Sequence, residues 1–113
     1  MNITTEHAGR VSVVRVGENR LMYPILTEFT SVVTGLLAQN RREILIDLAP
    51  VTYVDSATIG CLMDLYRQVT TAGGHLKLSG VQKRVETMLT LTGAQNFIEI
   101  HPDEPAGVKS FGA

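Results

Sequence analysis

Near the middle of the chain, the residues read Asp55-Ser56-Ala57-Thr58-Ile59-Gly60. They separate an apolar run at residues 44–48, with Val51 beyond it, from a helical spacing of apolar residues that begins near Ala57. These six residues are therefore predicted to join a strand to a helix. The first amide groups of a helix lack partners within it and lie at the positive end of its dipole, which favours a phosphate there. Ser56 is thus a candidate phosphorylation site.

The composition indicates one folded domain. The chain has 113 residues, which suits a single domain over residues 1–113 and leaves no room for a second. Its 10 basic and 11 acidic residues are mixed along the sequence and give a formal charge of −1. Because no basic stripe is present, we expect neither nucleic acid nor an anionic membrane surface as a partner.

Cysteine content and hydropathy bear on the compartment. Cys61 is the only cysteine, so an internal disulfide and a cysteine-based metal cluster are excluded, which fits a reducing environment. The first seven residues contain neither a charged leader nor an apolar stretch, and no segment approaches membrane-spanning length. A cytoplasmic protein is therefore expected.

The first half of the chain alternates between strand and helix patterns. A β-branched run at residues 11–16 predicts a strand, and Ile3 is placed to begin a partner strand in a hairpin. From Pro24, apolar residues recur at spacings of three, four and seven, which predicts a helix with Pro24 in its first turn. Residues 40–42 end that helix, and the apolar run at 44–48 predicts a strand inside a sheet.

The second half repeats this alternation. The helix that begins near Ala57 is ended by Gly73-Gly74, and a strand follows in which Leu76 and Leu78 alternate with polar residues. A third helix across residues 81–89 is stopped by Gly93. Residues 97–100 predict a final short strand, and residues 103–109 a terminal helix.

Together these patterns predict an α/β fold, with a small mixed, partly parallel sheet of four to five strands and about four helices. Two successive strand, helix, strand passages over residues 44–100 imply right-handed crossovers and parallel pairing. Ligands and partners usually meet such a sheet beyond the carboxyl ends of its strands. The Asp55 junction is expected at that edge.

A purely structural role competes with the phosphorylation hypothesis. Asp and Ser are both favoured N-cap residues, because their side-chain oxygens accept hydrogen bonds from the first turn of the helix. Either Asp55 or Ser56 could therefore be present only to begin the helix.

The junction resembles the anti-sigma factor antagonists of the STAS domain family, whose usual pattern is Asp-Ser-Ser/Thr-Gly-Leu-Gly. Asp55, Ser56, Ile59 and Gly60 match that pattern by position, whereas Ala57 and Thr58 stand in place of Ser/Thr and Gly. The resemblance spans residues 11–108 and includes the glycine-led strand at 73–78 and the helix at 85–93. It therefore implies the STAS fold for the whole chain.

The resemblance also implies a partner-switching regulator that catalyses nothing and needs no cofactor or metal. The unphosphorylated form would bind an anti-sigma factor that is also a serine kinase, and so release a sigma factor. That kinase would phosphorylate Ser56, which matches the family's phosphoacceptor, and a serine phosphatase would restore the unmodified form. A monomer is implied for the free protein.

We expect the partner to contact an exposed patch around Ser56. The candidate contact residues are Asp55, Ser56 and Thr58, with Tyr53, Asn19 and Arg20 from neighbouring loops. Arg20 replaces an aspartate that is usual in the family. Thr58 is also an alternative phosphoacceptor, although a local hydrogen bond in the first helical turn is the simpler interpretation of its hydroxyl.

Enzymatic alternatives have less support. His7, His75 and His101 lie far apart without the spacing of metal ligands, and neither a glycine-rich phosphate loop nor a Gly-x-Ser-x-Gly motif occurs.

A phospho-aspartate receiver-like domain would need an acidic pair after the first strand, where Glu18 stands alone. A STAS scaffold or sensor module that docks its partners constitutively is the other alternative.

Overall fold

The computed structural model describes residues 2–112 and contains seven strands and four α-helices within them. The strands are β1 (Ile3–Ala8), β2 (Val11–Val16), β3 (Arg20–Leu21), β4 (Glu43–Asp47), β5 (Tyr53–Val54), β6 (His75–Ser79) and β7 (Ile100–His101). The helices are α1 (Ile25–Ala38), α2 (Ser56–Thr71), α3 (Lys83–Thr92) and α4 (Glu104–Lys109). None of these helices is both long enough and apolar enough to cross a membrane.

Five of the strands form one mixed sheet in the order β1-β2-β4-β6-β7. β1 and β2 are antiparallel and turn through Gly9, whose φ of +63° costs a glycine little. The pairs β2–β4, β4–β6 and β6–β7 are parallel, and α1, α2 and α3 lie in the connections between them. β3 and β5 form a separate two-stranded parallel pair. The predicted α/β class and mixed sheet are confirmed.

The main hydrophobic core lies between one face of the sheet and helices α1, α2 and α3. Alternate strand residues point into it, because successive side chains of a strand face opposite sides of the sheet. The sheet contributes Val14, Val16, Ile44, Ile46, Leu76 and Leu78. Helix α2 contributes Ile59, Leu62, Leu65 and Val69. Since burial of each such side chain contributes about 1.5–3 kcal/mol, the start of α2 is held firmly against the sheet.

Helix α4 covers part of the opposite face of the sheet. Val11, Val13, Leu45 and Phe111 form a second cluster there, with Val108 packed against it. Gly107 of α4 lies so close to this face that a Cβ atom on it would be 2.7 Å from Leu45 Cδ2. The glycine therefore permits the close approach of α4 to β4.

The fold differs from the sequence expectations at the last strand and by two additional short strands. The last strand is Ile100–His101 rather than residues 97–100, because a 3₁₀ turn at Ala94–Asn96 continues the chain beyond α3 and leaves Phe97 exposed. Within β6, Lys77 and Ser79 are buried, at 8% and 0% exposed, whereas His75 is exposed. The short strands β3 and β5 were not predicted, because two residues are too few to show a period.

Candidate functional site

Asp55 begins helix α2 as its N-cap residue. Its Oδ1 accepts hydrogen bonds from the Thr58 backbone amide at 2.8 Å and from Thr58 Oγ1 at 2.7 Å. Both bonds lower the pKa of Asp55, and the bond from the Thr58 side chain lowers it more than the bond from the backbone amide. Asp55 is therefore a carboxylate at neutral pH, and it places a negative charge directly before Ser56.

Thr58 connects this junction to the short strand β3. Its hydroxyl lies 2.6 Å from the Leu21 carbonyl oxygen as well as 2.7 Å from Asp55 Oδ1, so its hydrogen is shared between two acceptors. The residue is 0% exposed. This placement corrects the expectation that Thr58 faces a partner or serves as a second phosphoacceptor, since a kinase needs an accessible hydroxyl.

Ser56 is the first residue of α2 and is exposed. Because Asp55 supplies the capping oxygen, the Ser56 hydroxyl is not needed to begin the helix. The purely structural role of capping the helix, which the sequence left open for either residue, therefore belongs to Asp55 and not to Ser56. The structure leaves the Ser56 side chain accessible at the positive end of the α2 dipole.

A surface groove of about 530 Å³ begins at Ser56 and extends to helix α3. Its walls are formed by the β5–α2 junction on one side and by the first two turns of α3 on the other. The lining residues are Thr52, Tyr53, Val54, Asp55, Ser56, Arg84 and Met88. The groove, which we call the Ser56 groove, combines apolar walls with one acidic and one basic side chain.

The loop before β3 brings two further predicted residues to this region. The Asn19 carbonyl accepts hydrogen bonds from the backbone amides of Thr52 and Tyr53, at 2.7 and 3.2 Å. The Arg20 guanidinium lies over the Tyr53 ring at 5.6 Å from its centre. Both Asn19 and Arg20 are exposed, and Tyr53 is 45% exposed. The structure therefore brings Asn19, Arg20, Tyr53, Asp55 and Ser56 to one surface.

Arg84 and Met88 were not predicted as part of this site. They are four residues apart, so they lie on the same face of α3, and this spacing is the only sequence signal that joins them. Nothing in the sequence shows which face of α3 adjoins Ser56. That proximity arises from the packing of α3 against the same core as α2.

A family model described as the STAS domain matches residues 2–106. The chain belongs to the STAS domain family. This confirms the resemblance drawn from the Asp55–Gly60 pattern and shows that the receiver-like alternative is wrong.

One bacterial relative resembles this STAS domain in sequence, and several solved structures resemble it in fold. An anti-sigma-B factor antagonist of Bacillus subtilis is 30% identical over 73 residues, which cover 65% of this chain and 67% of the relative. A crystal structure of an anti-sigma factor antagonist from Mycobacterium paratuberculosis superposes with a TM-score of 0.88 at 17% identity, covering 99% of this chain and 94% of that one. The Bacillus cell fate determinant SpoIIAA in its phosphorylated form superposes with a TM-score of 0.76 at 14% identity, covering 96% and 98%.

Proposed function

We propose that this STAS domain is an anti-sigma factor antagonist controlled by phosphorylation of Ser56. The unphosphorylated form binds an anti-sigma factor serine kinase in the cytoplasm and so frees a sigma factor. The kinase transfers the γ-phosphoryl group of ATP to Ser56 Oγ, with release of ADP and of the hydroxyl proton. A serine phosphatase hydrolyses the ester and restores the binding form. The protein itself acts as a monomeric binding partner and not as a catalyst.

The observation that carries this proposal is the division of roles between Asp55 and Ser56. Asp55 caps α2, and the exposed Ser56 hydroxyl is left outside the capping bonds. A phosphate adds about −1.5 to −2 charges, which the positive end of a helix dipole accommodates. Modification of Ser56 therefore leaves the fold intact.

The same phosphate weakens docking because of what surrounds it. In a packed interface, the phosphate must lose its hydration, and it lies beside the ionised Asp55. If it finds no partner group in the complex, a loss of about 2–4 kcal/mol lowers affinity by roughly 30- to 1,000-fold. A change of that size is enough to exchange one partner for another.

The partner surface we propose consists of Asn19, Arg20, Tyr53, Asp55 and Ser56, together with the neighbouring Tyr23. Tyr23 is 77% exposed, and aromatic side chains with a polar end are common in the centres of interfaces. The names of the relatives support an anti-sigma factor as the partner. The phosphorylated form of SpoIIAA supports phosphate as the regulatory group.

Phosphorylation in vitro tests the proposal directly. The protein is incubated with ATP and the purified anti-sigma factor kinase from the same genome, and the modified residue is located by mass spectrometry. We expect phosphate on Ser56 and none in Ser56→Ala. Ser31→Ala removes another exposed helical serine and should be labelled like the wild type.

Binding of the unmodified variants completes the test. Ser56→Asp should bind the kinase at least tenfold more weakly than the wild type, whereas Ser56→Ala should bind with similar affinity. Equal affinities for all three proteins, with no labelling of Ser56, would instead support the constitutive docking module.

A further inference from the structure

Arg84 is the only basic side chain among the residues that line the Ser56 groove. It is exposed and lies in the first turn of α3, after Lys83. The ion pairs within residues 2–112 engage the cations Arg15, Arg67 and Lys77 and do not include Arg84. Its guanidinium is therefore available to an anion in the groove.

The position of Arg84 is electrostatically unfavourable in the unmodified protein. A cation in the first turn of a helix faces the positive end of that helix's dipole, where an acidic residue is normally preferred. Glu86 is the acidic residue of this turn. An anion in the groove would interact favourably with Arg84 and with the positive ends of both α2 and α3.

We propose that Arg84 binds the phosphoryl group of phosphorylated Ser56 across the groove. This inference rests on the proposed function and names the side chain that binds the phosphate once Ser56 is phosphorylated. A guanidinium presents two parallel N–H groups that match two phosphate oxygens, so the pair forms in a defined geometry. The contact joins the start of α2 to α3.

The contact has a consequence for partner binding. A phosphate held by Arg84 lies within the groove that Tyr53 and Met88 also line. A partner that uses this groove must first break the Arg84–phosphate pair. Phosphorylation thus closes the groove in addition to repelling the partner.

Asp55, which lines the groove, and Arg20, beside it, are two further charges in this region. Asp55 opposes the phosphate, but its Oδ1 is directed to the amide and hydroxyl of Thr58. Arg20 lies over the Tyr53 ring, which lines the groove. Arg84 is thus the cation that shares the groove directly with Ser56.

The second pKa of the phosphate measures this contact. Phosphoserine is incorporated at position 56 by genetic encoding, so no kinase is needed, and its phosphorus resonance is followed by NMR from pH 4 to 9. An exposed ion pair with Arg84 should lower the second pKa, ordinarily about 6, by about half a unit relative to Arg84→Gln. Arg84→Lys, which keeps the charge without the paired N–H groups, should lie between them.

Lys83→Gln is the matched control. It removes the same charge from the adjacent position, but Lys83 does not line the groove. We expect its second phosphate pKa to stay within about 0.1 unit of the wild-type value, since charges in water are strongly screened. Equal pKa values in wild type and Arg84→Gln, or an equal rise in Lys83→Gln, would overturn the proposal.

Failure of this inference is distinguishable from failure of the proposed function. If a kinase labels Ser56 but Arg84→Gln leaves the phosphate pKa unchanged, the Arg84 contact alone is rejected. If encoded phosphoserine shows the shift but no kinase labels Ser56, the contact stands and the regulatory role is rejected.

Discussion

Thr58 links the start of helix α2 to strand β3 through a single hydroxyl group. The hydroxyl is buried and lies within hydrogen-bonding distance of both Leu21 O and Asp55 Oδ1. Loss of this donor costs more than the bond itself is worth, because the buried Leu21 carbonyl is left without its partner. The geometry around Ser56 therefore depends on a residue that is buried.

We predict that Thr58→Val destabilises the protein by about 1–3 kcal/mol, because the Leu21 carbonyl loses its hydroxyl donor while side-chain volume is kept. The free energy of unfolding is measured by urea denaturation. Thr71→Val removes an exposed threonine hydroxyl from the same helix and should change stability by less than about 0.5 kcal/mol. A similar loss in both variants would mean that helix propensity, and not the buried hydroxyl, is responsible.

At the scale of elements, the connection between α2 and β6 needs two glycines for two different reasons. Gly73 has a φ of +86°, the left-handed conformation that ends many helices. Gly74 has no positive φ, but a Cβ atom on it would lie 2.1 Å from the Arg42 carbonyl oxygen. The sequence correctly predicted that the pair ends the helix, but the close contact of Gly74 with Arg42 depends on the tertiary fold.

We predict that Gly74→Ala costs about 2–3 kcal/mol or more, because backbone atoms of residue 42 must move and disturb the pairing of β4 with β6. Gly60→Ala is the matched control on α2, where a Cβ atom meets nothing within 4 Å. It should stabilise the protein by about 0.5–1 kcal/mol through helix propensity. Both values come from urea denaturation, and a neutral Gly74→Ala would contradict the close packing.

At the scale of the whole molecule, a charged cluster joins the hairpin, the centre of the sheet and the last helix. Arg15 of β2 donates to both carboxylate oxygens of Glu104 in α4, at 2.6 and 2.8 Å, and also pairs with Glu6 of β1 at 2.6 Å. Asp47 lies opposite Arg15 in the register of β2 and β4. Burial, with a hydrogen bond to Glu104, raises the pKa of Asp47 to about 6.

Glu104 and Asp47 make the free energy of unfolding depend on pH in opposite directions. The pKa of Glu104 is lowered to about 2, chiefly by its hydrogen bonds from Arg15. The contribution of Glu104 to stability is therefore lost as pH falls from about 4.5 to 2. Asp47 binds its proton more tightly in the folded state than in the unfolded chain. Its contribution therefore decreases as pH rises from about 4 to about 6.

We predict that Asp47→Asn raises the free energy of unfolding at pH 7.5 by about 1 kcal/mol, a value reduced by solvent screening. The amide mimics the protonated acid and keeps an oxygen that can accept the hydrogen bond from the Ala49 amide. At pH 4 the variant and the wild type should be nearly equal. The measurement is urea denaturation between pH 4 and 7.5.

Asp64→Asn is the control for this pH dependence. Asp64 forms an exposed pair with Arg67 on α2, and such pairs contribute little to stability. We expect no difference from the wild type between pH 5 and 7.5. An Asp47→Asn profile parallel to that of the wild type would exclude Asp47 as the group that titrates there.

Much of the fold and part of the site follow from local sequence. Apolar spacing at α1, α2 and α3 and the apolar runs of β2 and β4 were sufficient for the class, because each pattern lies within one element. The junction at Asp55 and Ser56 was equally local, since capping requires only the next few residues. The sequence by itself therefore determined the α/β architecture and the place of Ser56 at the start of a helix.

Other features required the assembled molecule, because they depend on contacts between residues distant in sequence. The burial of Thr58 depends on the Leu21 carbonyl, 37 residues earlier in the chain. The position of Arg84 in the same groove as Ser56 depends on how α3 packs on the shared core. The raised pKa of Asp47 depends first on its burial and then on Glu104 from the last helix. Local pattern specifies which face of an element is apolar, whereas only close packing decides which polar side chains meet.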